Sequence, residues 1–256
     1  YYSSGSRWRY APWEMSEFGE YWRHNYSRSI KLFDPGTTKK ATAIRENGNR
    51  YYFEAVDNVI EGEWRTIDAD IVETLTVRVV NGERIWEYRN NDGEVEHYDF
   101  EFGKLRAITN RQGYRTMLSY DASGRLRGSD NGFGSALELE YHGSGIGKGL
   151  LSTINLVANG ERLEGSQYRY EYEDTQPGST VQVMLDSITY PVVPSNEIIP
   201  VKDYLYNEPD FIYPYGADIE TGPSTTPYNA PYAMTGVIDE NGNRFATYKY
   251  QRTLMS

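Results

Sequence analysis

Three histidines, His24, His97 and His142, are the residues of this chain best suited to general-base or metal-ligand chemistry. They lie far apart in sequence, and none has a second ligand at a metal-like spacing. Each is expected to be structural or exposed. Carboxylates are plentiful, and a glycosidase needs only two, one on either side of a sugar bond. Asp99 and Asp121 draw notice because each follows a tyrosine and precedes a Gly-Lys/Arg-Leu run. Their recurrence argues against catalysis, since a catalytic pair is unique and a repeated Asp serves the repeat. Each is read as a turn former whose carboxylate accepts backbone N–H bonds, with the following Lys or Arg pairing with acids across strands. The run GSGIGKG (143–149) lacks the first glycine of a phosphate loop and leads into a strand pattern rather than a helix. It is read as a mobile hairpin tip. GFGS (132–135) is not a nucleophile elbow. No residue is read as catalytic, metal-binding or cofactor-binding, and the chain is not expected to be an enzyme. A glycosidase with an unrecognised carboxylate pair is the third reading.

The elements that would carry these residues are strands. Between 81 and 141 a glycine recurs roughly every ten residues, at 82, 93, 103, 113, 124 and 134, and short runs rich in Val, Ile, Tyr, Leu and Thr lie between these turn candidates. Asn-Gly and Asp-Gly pairs tolerate the positive φ of tight hairpin turns, so each glycine marks a reversal and the stretch is a β-meander. Upstream, Asn47-Gly48 and Asn81-Gly82 carry the same signal, and Thr74 to Val80 alternates with period two. Gln167 to Glu173 (QYRYEYE) puts Tyr168, Tyr170 and Tyr172 on one face. Eight of the eleven prolines lie in 191–231, which excludes a central strand there on the ground that proline cannot donate to a ladder. That segment is expected to be a proline- and tyrosine-rich insertion or loop. Asn241-Gly242 then introduces a further hairpin in 232–256.

A longer period overlies the turns. Tyr98-Asp99 is followed by Gly103-Lys104-Leu105, Tyr120-Asp121 by Gly124-Arg125-Leu126, and Tyr141 comes one step later. A fixed period of this kind signals stacked supersecondary units, here of two strands. YDASGRL resembles the YD repeat of Rhs (rearrangement hot spot) proteins, whose relatives include teneurins and the B/C subunits of insecticidal Tc toxins, and YDFEFGKL is a weaker copy. Residues 1–35 resemble the opening of Rhs-type cores through Tyr2, Ser3, Ser4 and then Gly19, Trp22, Arg23, His24, Asn25, Tyr26 and Ile30. The resemblance implies four segments: 1–35 as the core opening, 36–190 as repeats, 191–231 as an insertion and 232–256 as one more repeat hairpin. It implies an all-β fold in which hairpins build a curved, spiralling sheet, part of a hollow shell. The shell encloses a toxin cargo and needs no active site in its wall. The array is too short to close a shell, and the chain opens on Tyr1 rather than Met. A shell fragment or short relative is therefore expected, whose open sheet edges pair with missing strands or with another copy. Export by a bacterial secretion system to the cell exterior, after a cytoplasmic stage, is implied in the same way.

Composition bounds the alternatives. The formal net charge is −11, which disfavours nucleic acid and anionic membranes, since phosphate contacts need clustered Lys and Arg. There is no cysteine, so a disulfide framework and a thiolate zinc site are excluded. No apolar run reaches the length of a membrane span. Tyrosine supplies 24 residues, and an aromatic face flanked by Asp, Asn and Arg can stack on a sugar ring. A carbohydrate- or cell-surface-binding module, with a glycan as partner, is the second reading.

Overall fold

The structure is a computed structural model, which describes residues 2, 17–19, 21–33, 38–176, 182–192, 199–214 and 229–251. These residues are all-β. Eighteen of the twenty strands pair antiparallel, almost all with the next strand in sequence. Among the described residues no helix is long and apolar enough to cross a membrane. By internal contacts the chain divides into two compact units. The first comprises Arg23–Glu138 and Val157–Glu161, and the second Tyr2–Trp22, Leu139–Leu156 and Arg162–Ser256.

In the first unit the meander runs β1 (Ser29–Phe33), β2 (Lys40–Ile44), β3 (Arg50–Ala55), β4 (Gly62–Thr66), β5 (Thr74–Val80), β6 (Glu83–Arg89), β7 (Val95–Asp99), β8 (Leu105–Thr109), β9 (Arg115–Tyr120), β10 (Leu126–Asp130) and the start of β11 (Ser135–Tyr141). Period-two alternation decides what is buried. Val77, Trp86, Tyr98 and Leu105 stand opposite one another across β5 to β8 and are all buried. Trp86 adds an edge contact to Trp64 at 4.9 Å and a stacked one to Phe100 at 5.3 Å. Burying side chains of this size stabilises by about 2 kcal/mol each.

The second unit continues with β12 (Leu151–Ala158), β13 (Glu161–Arg162), β14 (Tyr168–Asp174), β15 (Val183–Thr189), β16 (Val201–Tyr206), β17 (Ile212–Tyr213), β18 (Met234–Ile238), β19 (Arg244–Thr247) and β20 (Tyr250–Gln251). Two features differ from the reading of the sequence. First, 191–231 holds a central strand: β16 pairs with β15 on one side and β18 on the other. Proline does not forbid it, because Pro200 precedes the strand and Pro209 follows it, leaving every N–H within 201–206 free to donate. Second, β17 and β20 pair in parallel, over a small core of Ile212, Ala230 and Ala233 with Tyr250 against it.

Candidate functional site

One turn recurs along the chain and sets the geometry of everything near it. At Asn90, Asn110, Asp121, Asn131 and Asp239 the backbone N–H bonds the carbonyl four residues on, and the side-chain oxygen accepts the N–H of that same residue. The third residue after each is glycine, with φ between +77° and +89°. This is an Asx-anchored hairpin loop closed by a left-handed glycine. Asp121 also takes Arg125 Nε at 2.8 Å and Nη2 at 2.7 Å. Burial would raise its carboxyl; the Arg125 N–H and guanidinium outweigh that and hold it below the usual range. The Asp99 turn is one residue longer. Asp99 N–H bonds Lys104 O at 3.0 Å, and its carboxylate accepts Phe102 N–H at 2.6 Å and Lys104 N–H at 3.1 Å.

The strands leaving these turns share a second device. Tyr98 stands opposite Leu105, but His97 stands opposite Ala107, so Arg106 is an extra, bulged residue. Tyr120 faces Leu126 and Ser119 faces Gly128, with Arg127 bulged. The same offset occurs at Tyr172/Leu185 with Asp186 bulged, at Tyr206/Met234 with Thr235 bulged, and at Ile238/Arg244 with Phe245 bulged. A bulge bends its strand and increases local twist. Tyr120, Tyr172 and Tyr206 then donate their hydroxyls to the carbonyls of Leu105, Leu151 and Leu185, at 2.6, 2.9 and 2.8 Å.

The tyrosine, Asp, glycine and leucine positions singled out at 98–105 and 120–126 therefore fall on two hairpins that share the bulge but differ by one residue in the turn, the second being the Asx turn described above. Gly242 belongs to the Asp239 turn of the same type. Tyr141 does not: it ends β11, and His142 and Leu150 close the loop after it through an N–H···O bond of 2.9 Å. That loop holds GSGIGKG, with Leu150 N–H on Gly147 O at 2.8 Å. Tyr172 and Tyr206 escaped the sequence reading because their loops are long. The available signal was Tyr-[Asp/Asn/Glu], then an apolar residue, one residue of any kind, and a small one: Leu185-Asp186-Ser187 and Met234-Thr235-Gly236. Residues 207–214 and 229–231 of the proline-rich segment lie between the paired strands of the Tyr206-Asn207 hairpin, while 193–198 and 215–228 lie outside the described residues. Asn207 clamps its base by bonding Ala233 O at 3.0 Å, Asn229 Oδ1 at 2.7 Å and Ala230 N–H at 2.8 Å.

The N-terminal motif is divided between the units. In the second, Gly19 lies against Leu150, and the Trp22 indole N–H donates to the Tyr206 hydroxyl at 3.1 Å. In the first, His24 Nδ1 accepts Tyr26 N–H at 3.2 Å within a tight turn. His97 lies 3.5 Å from Glu87, and burial, then Arg115, hold its imidazole below the ordinary range. His142 Nε2 is 2.9 Å from Tyr170 O. Among the described residues no group of three His, Asp or Glu is placed to hold a metal ion.

Two features of the first unit were not foreseen. One is a buried ionic cluster. Glu96 on β7 is 0% exposed and points to the same face as Tyr98. Arg45, just past β2, grips it with Nη1 at 2.8 Å and Nη2 at 2.6 Å, and Arg28 and the Tyr98 hydroxyl also bind it. The Arg45 guanidinium lies 4.2 Å over the Tyr88 ring. Burial would raise the Glu96 carboxyl, but the Arg45 hydrogen bonds and the charges of Arg45 and Arg28 hold it below its ordinary value. Parity was the signal: Arg45 continues the buried series Ala41, Ala43, and Glu96 the series ending at Tyr98.

The other is a cleft of about 640 Å3 where three Asx turns and the 24–28 turn meet. Tyr114 and Phe133 stand at its mouth, 58% and 67% exposed, with ring centroids 5.2 Å apart and planes 84° apart. Asn110, Asn131, Glu94, Tyr26 and Arg28 also line it. No protein-family model matches the chain, and no curated protein sequence matches it.

Proposed function

We propose that the chain is a structural module of the Rhs/YD-repeat type, a stretch of shell wall without catalysis of its own. The observation that carries this reading is the recurrence of one bulged hairpin at 98–107, 120–128, 172–187, 206–236 and 238–246. A wall made of such hairpins is built by repetition, and its most distinctive residues are spent on turns and cross-strand bonds. Each bulge adds twist, and a meander that twists steadily is the kind of sheet that curls into a shell. Loops vary from 121–125 to 207–233 without changing the bulge beside them. Insertions are thereby confined to one end of a hairpin, as a wall that must stay continuous requires. The proposal includes a toxin or other protein cargo on one side of the wall, export to the cell exterior, and completion of the wall by further strands or a second copy.

Size-exclusion chromatography with light scattering over a range of concentrations tests this. Self-association that grows with concentration is expected, because the wall is proposed to be completed by further strands or a second copy. A strictly monomeric species at every concentration would count against it.

A further inference from the structure

We propose that the cleft of the first unit binds a lysine or arginine side chain of a basic peptide, a role that needs neither the wall nor its cargo. The first observation is a charge count. Arg28 holds Glu96 by Nη1 and Glu46 by Nε at 2.9 Å, while Arg45 holds the same Glu96 at 2.6 Å and stands 3.8 Å from the same Glu46. Arg28 Nη1 is also 4.0 Å from Glu94. Two guanidiniums thus face three carboxylates, and the network carries one negative charge in excess. Arg28 and Arg45 are taken up by Glu46 and Glu96, so the excess falls on Glu94. Glu94 is the carboxylate that lines the cleft, and it is the most exposed of the three, at 35% against 22% and 0%. Its Oε2 accepts Asn90 Nδ2 at 3.1 Å, and among the described residues its Oε1 has no donor. Arg111 lies against Gly93 and Arg115 beside His97, both outside the lining.

The second observation is what surrounds that carboxylate. Tyr114 and Phe133, largely exposed and with planes 84° apart, form a corner of two aromatic faces. A cation is attracted by the negative face of each ring, and an anion is repelled by the rings and by Glu94 alike. Asn110 and Asn131 spend their side-chain oxygens on their own turns, at 2.9–3.0 Å and 2.9–3.2 Å. Their Nδ2 donors are left for acceptors, and the backbone carbonyls flanking a lysine or arginine supply them. A peptide therefore satisfies donors that a bare cation leaves unmet. The cleft of about 640 Å3 has room for such a side chain and its flanking backbone. The net charge of −11 draws basic partners towards the chain. Because the amides belong to turns that are already closed, little ordering is required on binding.

Amide-resolved NMR titration of the full chain tests the site, with acetyl-Gly-Gly-Arg-Gly-Gly-amide and its Lys counterpart as probes. The citrulline peptide, a neutral isostere of the arginine one, is the charge control, and methylguanidinium presents the cation without its backbone. Saturable shifts at the amides of 25–28, 94, 110–116 and 131–133 are expected with the Arg or the Lys peptide. Affinity should fall by about fivefold in Glu94→Gln, by about tenfold in Tyr114→Leu/Phe133→Leu, and steadily as NaCl rises from about 50 to about 500 mM. Leucine keeps the bulk and removes the aromatic faces, and the spectrum itself reports whether each variant is folded. Should the leucine variant not fold, Glu94→Gln, which keeps an acceptor for Asn90, carries the same decision. The proposal is overturned by the absence of saturable shifts with either basic peptide, by a citrulline peptide that binds as tightly, or by affinity unchanged in the folded variants or with salt. Methylguanidinium binding as tightly as the peptides overturns the assignment to a peptide.

Discussion

Arg45 holds Glu96 with two parallel hydrogen bonds, Nη1 to Oε2 at 2.8 Å and Nη2 to Oε1 at 2.6 Å, on the apolar face of the first unit. The two residues are 51 positions apart in sequence. Pairs of this fork-to-fork kind are strong and directional. Burying them is costly unless every partner is present, and here Arg28 and Tyr98 complete the shell around the carboxylate.

Removing one partner from such a cluster leaves the others charged and dry. Glu96→Gln is expected to cost about 3–5 kcal/mol, as is typical for a broken buried pair. Urea unfolding followed by tryptophan fluorescence measures it, and a cost below about 1 kcal/mol would show that the cluster contributes little. The sign with pH follows from the lowered carboxyl: its contribution is present above the unfolded value and is lost as pH falls through the folded one.

Asp186 behaves in the opposite sense. It is the bulged residue opposite Tyr172, and its carboxyl is raised by burial and then by Asp203 and Glu171, with Ser187 opposing. Glu173 is raised by burial, then by Asp186 and Asp174. A carboxyl raised on folding stabilises most when protonated, and that stability is lost as pH rises through its folded value. Asp186→Asn is therefore expected to raise Tm at pH 7 and to leave it nearly unchanged at pH 4. Differential scanning calorimetry at the two pH values checks this, and an equal shift at both would refute the electrostatic cause.

Two glycines with similar backbone conformations should respond very differently to Ala. At Gly103, with φ +65°, a Cβ would lie 1.6 Å from Ile30 O, an atom of backbone that cannot step aside. At Gly113, with φ +89°, a Cβ meets nothing within 4 Å. Gly113→Ala should cost about 1 kcal/mol of backbone strain, and Gly103→Ala should cost several times that or abolish folding. Comparable melts for the two variants would contradict the close approach of β1 to the Asp99 turn.

The tyrosine hydroxyls should register individually. Tyr172→Phe and Tyr206→Phe each leave a strand carbonyl without its donor, so each should cost about 1–3 kcal/mol. Asp121→Asn should be nearly neutral by the same measurement, since Asn90, Asn110 and Asn131 already close turns of that geometry. Asp121→Ala should cost about 1 kcal/mol by removing the anchoring acceptor.

Much of the hairpin architecture was legible because it is local. An Asx residue, a glycine three positions on and alternating side chains form a turn with neighbours only, so Asn90, Asn110 and Asp121 could be placed from spacing alone. Where the loop lengthens, the signal fails, as at Tyr172 and Tyr206, whose partners Leu185 and Met234 lie beyond long loops. The exclusion of a central strand in 191–231 failed for a related reason: proline content was averaged over a segment, while ladder bonding depends on each residue.

The sequence by itself determined an all-β chain and the positions of its short turns, because these follow from backbone preferences within about ten residues. Only the tertiary structure decided that Glu96 meets Arg45 and Arg28, and that Tyr114, Phe133, Asn110 and Asn131 converge on one cleft. Those meetings depend on registers accumulated over many strands and on the twist added at each bulge, and neither is written in any single stretch of the chain.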